Sequence, residues 1–579
     1  MGVIVTSDAR CRDCYKCVRH CPIKAIRVAD GHAEVWDERC IYDGACLNVC
    51  PQEAKQAASH LERVEDFLQS GYPVVVSLAP SFAAIWPGQF NGLAAALRDL
   101  GFYDVQETAV VASQVAHEHV KEREIRRQAN GPFPLITSSC PAVVSLVEKH
   151  YPQAIELLAD VVSPMIAHGR LLKQQFAGAV RVVFIGPCVA KKDELALETH
   201  HGAVDAALTF SELKALGEKY DVAMPGDSSA PAPRTLANPV ARLFPLEGGL
   251  LRTADVDVSM MGLLSGDVRL ISGIERCMAF LEEGASQGDQ AAIVELLACE
   301  SGCIGGPFMD LDERSRTDRQ NRVLNEYQTT QKELEAPITV DANKMKRRYR
   351  ARRQLSEPVG EEQLALILSQ MGKEEPEDHL NCGACGYDSC REKAFAVYQG
   401  AAEVEMCIPH MRKRAESLAN VIMHEMPNGV IVTDRDLRIV SINPAVEHMF
   451  HCRTEQMKGR KLGYLIDPKY FRQVLQARTM AIVDVDYPSY NLQTKQYIFH
   501  VKGQDLVIGI FVDISREEKH KRELQTLQKE SVIRAQEVID KQMRVAQEIA
   551  GLMGETTAET KTLLTQLMQV IQNEPHSDT

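Results

Sequence analysis

The sequence contains no run of about 18 to 20 consecutive apolar residues, the length a helix needs to cross a bilayer, so no membrane span is expected. Its first residues, Met1 to Asp8, lack both the basic start and the apolar stretch of a secretory leader, and cysteines begin at Cys11; the expected setting is cytoplasmic. Positive charge is short as well. The 65 lysines and arginines stand against 79 aspartates and glutamates, and a formal charge of −14 argues against general nucleic-acid binding. No nucleotide-binding loop, kinase glycine box or DNA-reading module is read in the C-terminal stretch, and output is expected to pass to a partner protein.

What the 579 residues do contain is ordinary globular material, 45% hydrophobic and 25% charged, enough for several domains, together with 17 cysteines. A reducing compartment keeps thiols free, which points to metal rather than disulfides. Fifteen of the 17 fall into ligand-like spacings; Cys277 and Cys452 do not, and are expected to be small buried apolar residues.

The stretch Glu295 to Pro307 places Cys299 and Cys303 four apart at a glycine-rich turn, where Gly302, Gly305 and Gly306 let main chain approach closely. Thiolates favour iron–sulfur clusters, copper(I) or zinc, and two of them cannot close a four-ligand site. The missing pair stands upstream, Cys140 in Thr137-Ser138-Ser139-Cys140-Pro141 and Cys188 in Gly186-Pro187-Cys188 through Glu194. Short apolar runs precede these loops: Val74 to Ala79, Leu135-Ile136 and Val182 to Ile185 read as parallel strands delivering loops at their C-terminal ends, with Pro141 in the first turn of a helix.

These three ordered loops resemble the signature motifs of the iron-only (diiron) hydrogenases over roughly residues 70 to 310. The resemblance implies that Cys140, Cys188, Cys299 and Cys303 hold the cubane of an H-cluster, that Cys303 bridges to a diiron unit, and that Lys191 hydrogen-bonds a cyanide ligand. Ser139 stands where catalytic members carry a proton-passing cysteine. A thiol near pKa 8.5 can give and accept a proton near neutrality and an alcohol cannot, so slow turnover is expected. Gly186 and Leu297 replace two methionines of the pattern, removing thioethers from the expected pocket wall.

Ahead of this region, Cys11, Cys14, Cys17 and Cys21-Pro22 are followed by Cys40, Asp43, Cys46 and Cys50-Pro51, with Gly31 suited to a turn between the halves. The doubled run resembles a two-cluster bacterial ferredoxin, which implies one set of Cys11, Cys14, Cys17 and Cys50, and another of Cys21, Cys40 and Cys46 with Asp43 in the fourth place. A carboxylate there permits an Asp-ligated [4Fe–4S] or a labile [3Fe–4S] cluster; zinc is the alternative metal.

Past Pro307 the chain turns polar and basic, and Lys344 to Arg353 reads as a solvated helix face. Met224 to Pro245 reads as a surface excursion. Cys382, Cys385, Cys390 and Cys407, the last beyond a helix around Arg391 to Ala402, resemble a four-cysteine [4Fe–4S] domain, again with zinc as the alternative. Pro427 to Asp434, Leu437 to Ala445, Tyr497 to Val501, Leu506 to Val512 and the exit Asp513 to Glu517 resemble a PAS sensor domain, in which His448, His451 and Cys452 are read as surface or core side chains. In the tail, Val532, Ala535, Ile539, Ala546, Ile549 and Met553 approximate a heptad stripe interrupted by Gln542, favouring helix pairing and a homodimer. Gly551 and Gly554 read as a break, and Thr556 with Glu559 as the capping box of a helix bearing Leu563, Leu564, Leu567 and Ile571.

The expected architecture is a multidomain α/β chain: a ferredoxin-like α+β domain (1–60), a hydrogenase-type H-cluster domain (61–357), a small Fe–S domain (358–413), an α+β PAS domain (414–515) and a helical coiled-coil tail (516–579). The combination resembles the sensory group of iron-only hydrogenases. It implies a hydrogen or redox sensor that handles H2 and protons slowly, exchanges electrons with a redox partner such as ferredoxin, and signals to a kinase or phosphatase. A catalytic hydrogenase, and a non-catalytic iron–sulfur protein like the hydrogenase-like assembly factors, are the rival readings.

Overall fold

Val74-Val75-Val76 and Val182-Val183 are β-branched and apolar on both faces, the pattern of strands covered on two sides, and in the computed structural model they form the centre of a parallel sheet. The structure describes residues 2–225, 239–283, 292–309, 314–330, 340–352, 359–552 and 557–572. It divides into two compact units, Met1–Met411 and Arg412–Thr579. Among the described residues no helix is long and apolar enough to cross a membrane.

In the first unit, the four-stranded sheet runs Asp104–Glu107, Val74–Leu78, Arg181–Ile185, Ala206–Leu208, all parallel. A second parallel sheet has the order Val268–Ser272, Ile293–Leu297, Leu135–Ile136. Apolar side chains such as Val75 and Val182 pack on one face of the larger sheet and Val76 and Val183 on the other. Pro141 opens the helix Pro141–His150, with Cys140 at its N-cap.

The N-terminal segment is built as two short halves. Ile4–Thr6 pairs with Lys55–Ala57, and the hairpin Ile26–Ala29 and His32–Val35 turns at Asp30-Gly31, both at positive φ. The one-turn helices Lys16–His20 and Ala45–Val49 carry cysteines at both ends of each half. Near the end of the unit, the helices Glu361–Gln370 and Cys390–Tyr398 form the frame of the four-cysteine segment.

Two expectations are corrected here. The basic run from Lys344 is no solvated helix face: Ala342–Met345 is one 3-10 turn, Tyr349 is buried, and Arg347 and Arg352 reach Glu148 at 3.0 and 2.8 Å. Glu148 lies within a buried helix, and a carboxylate there demands cations, which this segment supplies. Arg353 lies outside the described residues, as does the domain boundary expected at Pro358. The excursion expected over Met224 to Pro245 is not all surface either. Residues 226–238 lie outside the described ones, but Pro239–Leu243 is a buried turn whose Arg242 makes a bidentate pair with buried Glu107, both bonds 2.9 Å.

The second unit contains a five-stranded antiparallel sheet in the order Ile439–Ile442, Gly429–Asp434, Leu506–Asp513, Leu492–His500, Ala481–Tyr487. Phe450, Phe471 and Phe511 fill its core. His448 and His451 are exposed and Cys452 is half-buried. Asp513 accepts the N–H and O–H of Ser515 at 2.9 and 2.6 Å, starting the helix Ser515–Leu552. That helix runs through Gly551 rather than breaking there; Met553, Gly554 and Thr556 lie outside the described residues, and a second helix spans Thr557–Gln572. Val532, Ile539 and Ala546 are half-buried, whereas Ala535 and Ile549 are exposed.

Candidate metal centres

Three parallel strands each deliver a cysteine loop to one cavity. Cys140 follows Leu135–Ile136, Cys188 follows Arg181–Ile185 and Cys299 follows Ile293–Leu297, and these three with Cys303 all line it. The cavity is open to solvent at its mouth. Ser139, Lys191 and Asp43 line it as well.

The thiols are close enough to resist ionising together. Burial, then the neighbouring thiols, pushes Cys188 up to about 11 and Cys303 up to about 12, and drives Cys299 well above the ordinary range. Cys188, Cys299 and Cys303 are therefore poor thiolates by themselves and good ligands once a cationic metal offsets the repulsion. The donor set fits a cluster. Lys191 Nζ donates to Glu194 Oε2 at 2.8 Å beside them, and although burial raises the Glu194 carboxyl, Lys191 and His200 hold it below the usual range.

Gly186 and Leu297 do not leave a hollow. A Cβ at Gly186 would lie 2.8 Å from the ring of Phe184, so Phe184 occupies that space, and Met165 supplies a thioether from the helix Pro164–Gln175. Neither was legible in the sequence, since both reach the cavity through packing rather than spacing. Behind Ser139, buried His119 lies against Ser138, its Nε2 3.2 Å from the Ser138 N–H.

In the ferredoxin-like segment, Cys21, Cys40, Cys46 and Asp43 form one neighbourhood. Burial first, then Asp43, raises Cys21 to about 12, and Asp43 also bears on Cys40 and Cys46. Burial pushes the Asp43 carboxyl up against the N–H groups of Ala45 and Gly44. The other set is looser: Cys17 feels Cys14 and Cys11, and Cys14 Sγ lies 3.8 Å from Gln52 Oε1 in the loop after Cys50. Sequence reasoning missed Asp13 and His32, which gather at Cys11 with all ligand atoms within 4.8 Å of one another; a hairpin brings His32 there, and no spacing signals it. Cys382, Cys385, Cys390 and Cys407 line one small pocket together with buried Lys393, whose Nζ donates to Val404 O at 2.9 Å. Cys277 is fully buried, its Sγ 3.5 Å from Leu297 O, and joins none of these groups.

Residues 72–307 match the family model of the iron-only hydrogenase large subunit, C-terminal domain, so the cavity belongs to a hydrogenase-type domain. Residues 3–51 match a 4Fe-4S dicluster domain, 378–409 an Fe-S cluster family and 418–484 the PAS fold. Iron–sulfur clusters are the cofactors that the second and third of these family models describe. Among curated proteins, the chain is 26% identical to iron hydrogenase 1 of Clostridium pasteurianum over 47% of its own length and 57% of that protein's. It is 28% identical to the NADP-reducing hydrogenase subunit HndD of Solidesulfovibrio fructosivorans, covering 47% of this chain and 56% of that one. It is 27% identical to the cytosolic Fe-S cluster assembly factor NAR1 of Encephalitozoon cuniculi, covering 32% and 57%. The chain thus spans little more than half the length of these relatives.

Proposed function

We propose that the chain is a hydrogen or redox sensor of the iron-only hydrogenase type, acting in the cytoplasm. The observation that carries this reading is the convergence of Cys140, Cys188, Cys299 and Cys303 with Lys191 on one cavity whose wall presents Ser139, in a chain that also bears a PAS-type sheet. In this reading those four cysteines would hold the cubane, and Cys303 would also serve as a ligand of the diiron unit. Bound there, the H-cluster would supply heterolytic splitting of dihydrogen. In this reading Lys191 donates a hydrogen bond to the bound group, and its 2.8 Å bond to Glu194 supports a fixed ammonium. Ser139 offers a hydroxyl that exchanges protons slowly, so the cavity binds the gas more readily than it turns it over.

Cys11, Cys14, Cys17 and Cys50 hold one ferredoxin-type cluster, and Cys21, Cys40, Cys46 and Asp43 the other. Cys382, Cys385, Cys390 and Cys407 hold a further [4Fe–4S] centre. Electrons are exchanged with a ferredoxin-like partner, and the PAS-type domain and helices report to a signalling protein such as a kinase or phosphatase. Helix Ser515–Leu552 leaves Leu524, Leu527 and Ile533 exposed, which supports pairing with a second copy; a chain ending at Asp513 that stayed dimeric would remove the tail from this role.

The deciding experiment is infrared spectroscopy of diiron-matured protein with and without dihydrogen. Bands of iron-bound carbonyl and cyanide that shift reversibly under the gas, with low turnover, are expected. Absence of the bands would leave a non-catalytic iron–sulfur protein, and high specific activity would make it a hydrogenase proper.

A further inference from the structure

The four-cysteine segment docks on the ferredoxin-like segment through one short helix. Arg19, on the helix Lys16–His20, donates from Nη1 to Ala384 O at 3.1 Å and from Nη2 to Cys14 O at 2.9 Å, so one guanidinium clamps the loops of Cys385 and Cys14. Gly386, at φ +96°, lies flat against the same helix: a Cβ there would meet Val18 Cγ1 at 2.9 Å and Arg19 N at 3.1 Å. Standard backbone dimensions then put the Cα atoms of Cys385 and Cys17 no more than about 15 Å apart.

The contact is extended and specific. Val28 N donates to Ala401 O at 3.0 Å and Arg39 Nη1 to Gln399 Oε1 at 3.1 Å, joining the hairpin and the Cys40 loop to the end of helix Cys390–Tyr398. Tyr387 is buried in the same core as Cys17, Val18 and Cys21, and its hydroxyl has no partner among the described residues. A buried interface of main-chain bonds and packed aliphatic atoms holds a fixed geometry, which a tether between independent domains would not.

We propose that the four-cysteine centre exchanges electrons with the ferredoxin-type centres across helix Lys16–His20, through the contact of Gly386 with Val18 and Arg19, and serves as the redox outlet toward the C-terminal unit. This rests on the iron–sulfur occupancy proposed above but not on any reaction with dihydrogen. One electron leaves the set anchored by Cys17 or Cys21, oxidising it by one, and arrives at the set anchored by Cys385, reducing it by one; no proton or leaving group moves. Cys407, the last cysteine of that set, is 7% exposed and immediately precedes the helix Ile408–Glu425. Added negative charge at Cys407 favours that helix through its N-terminal dipole, so the reduced state strengthens the first element leading out of the unit.

The test uses the full chain loaded with iron and sulfide alone, without a diiron unit, and poised by dithionite titration. Metal analysis and electron paramagnetic resonance are read together, with a Cys382→Ala/Cys390→Ala variant used to assign the four-cysteine signal. The expected result is iron in the four-cysteine pocket and a several-fold rise in the microwave power needed to saturate its signal once the ferredoxin-type centres are also reduced. Saturation unchanged between the two poised states, or zinc in that pocket, would overturn the proposal. Since no dihydrogen is involved, failure here and failure of the infrared experiment are separate results.

Discussion

Gly44 and Pro307 touch: a Cβ on Gly44 would lie 2.5 Å from Pro307 Cγ, and Gly44 is held at φ +82°. The loop of Asp43 is thereby seated on the loop that carries Cys299 and Cys303. Asp43 is near enough to Cys299 to raise its pKa, after burial and the other thiols. Gly44→Ala is expected to wedge these loops apart, costing about 1–3 kcal/mol in a denaturant titration. It should also slow reduction of the inner cubane in stopped-flow mixing with reduced ferredoxin, and equal rates would separate this contact from electron entry.

Asp43→Cys completes the fourth thiolate of its set. Purified under air, the variant is expected to keep one more iron per chain than the parent, because a thiolate binds iron more tightly than a carboxylate. Colorimetric iron assay and the loss of any three-iron resonance check this; equal iron content would place Asp43 outside the ligand shell.

Ser139→Cys is expected to raise hydrogen oxidation by matured protein about 100-fold, the lower end of what a positioned acid–base group contributes. Dye reduction under hydrogen measures it. No change would mean that proton passage does not run through this position.

His119 predicts a pH effect. Its Nδ1 faces Val115 O at 2.8 Å and its Nε2 faces the Ser138 N–H, an arrangement that suits a neutral ring donating from Nδ1. Burial outweighs the Val115 bond and lowers its pKa from 6.5 to about 4. Between these values the unfolded chain binds a proton that the folded chain refuses, so stability is lost as pH falls from 6.5 toward 4. His119→Gln should reduce the stability lost between pH 7 and 5 by about 2 kcal/mol, measured by denaturant unfolding. Buried Glu295, pushed up to about 8, acts in the opposite direction in both proteins and cancels from the difference.

The sulfur framework was readable because ligand spacing is a local property: Cys299 and Cys303 sit on one turn, and Cys140 and Cys188 each follow an apolar strand that announces itself. Phe184 and Met165 were not readable, since their approach to the cavity depends on how a sheet and a helix pack. The basic run after Lys344 was misread because exposure was assigned from charge alone. Glu148, an acid inside the apolar helix Pro141–His150, was the signal that buried cations must come from elsewhere. Strand Ala481–Tyr487 was overlooked although Val483, Asp484, Val485 and Asp486 alternate as a half-exposed strand should.

Cys140 and Cys299 hang from the three-stranded sheet and Cys188 from the four-stranded one, and these sheets share no strand. A metal group gripped by all of them would work as a rivet through a seam. Stripping it should loosen that seam first, so that proteases cut the apo-protein at the loops after residues 136, 185 and 297 while the core that Val75 and Val182 share with Leu135 and Ile293 stays packed.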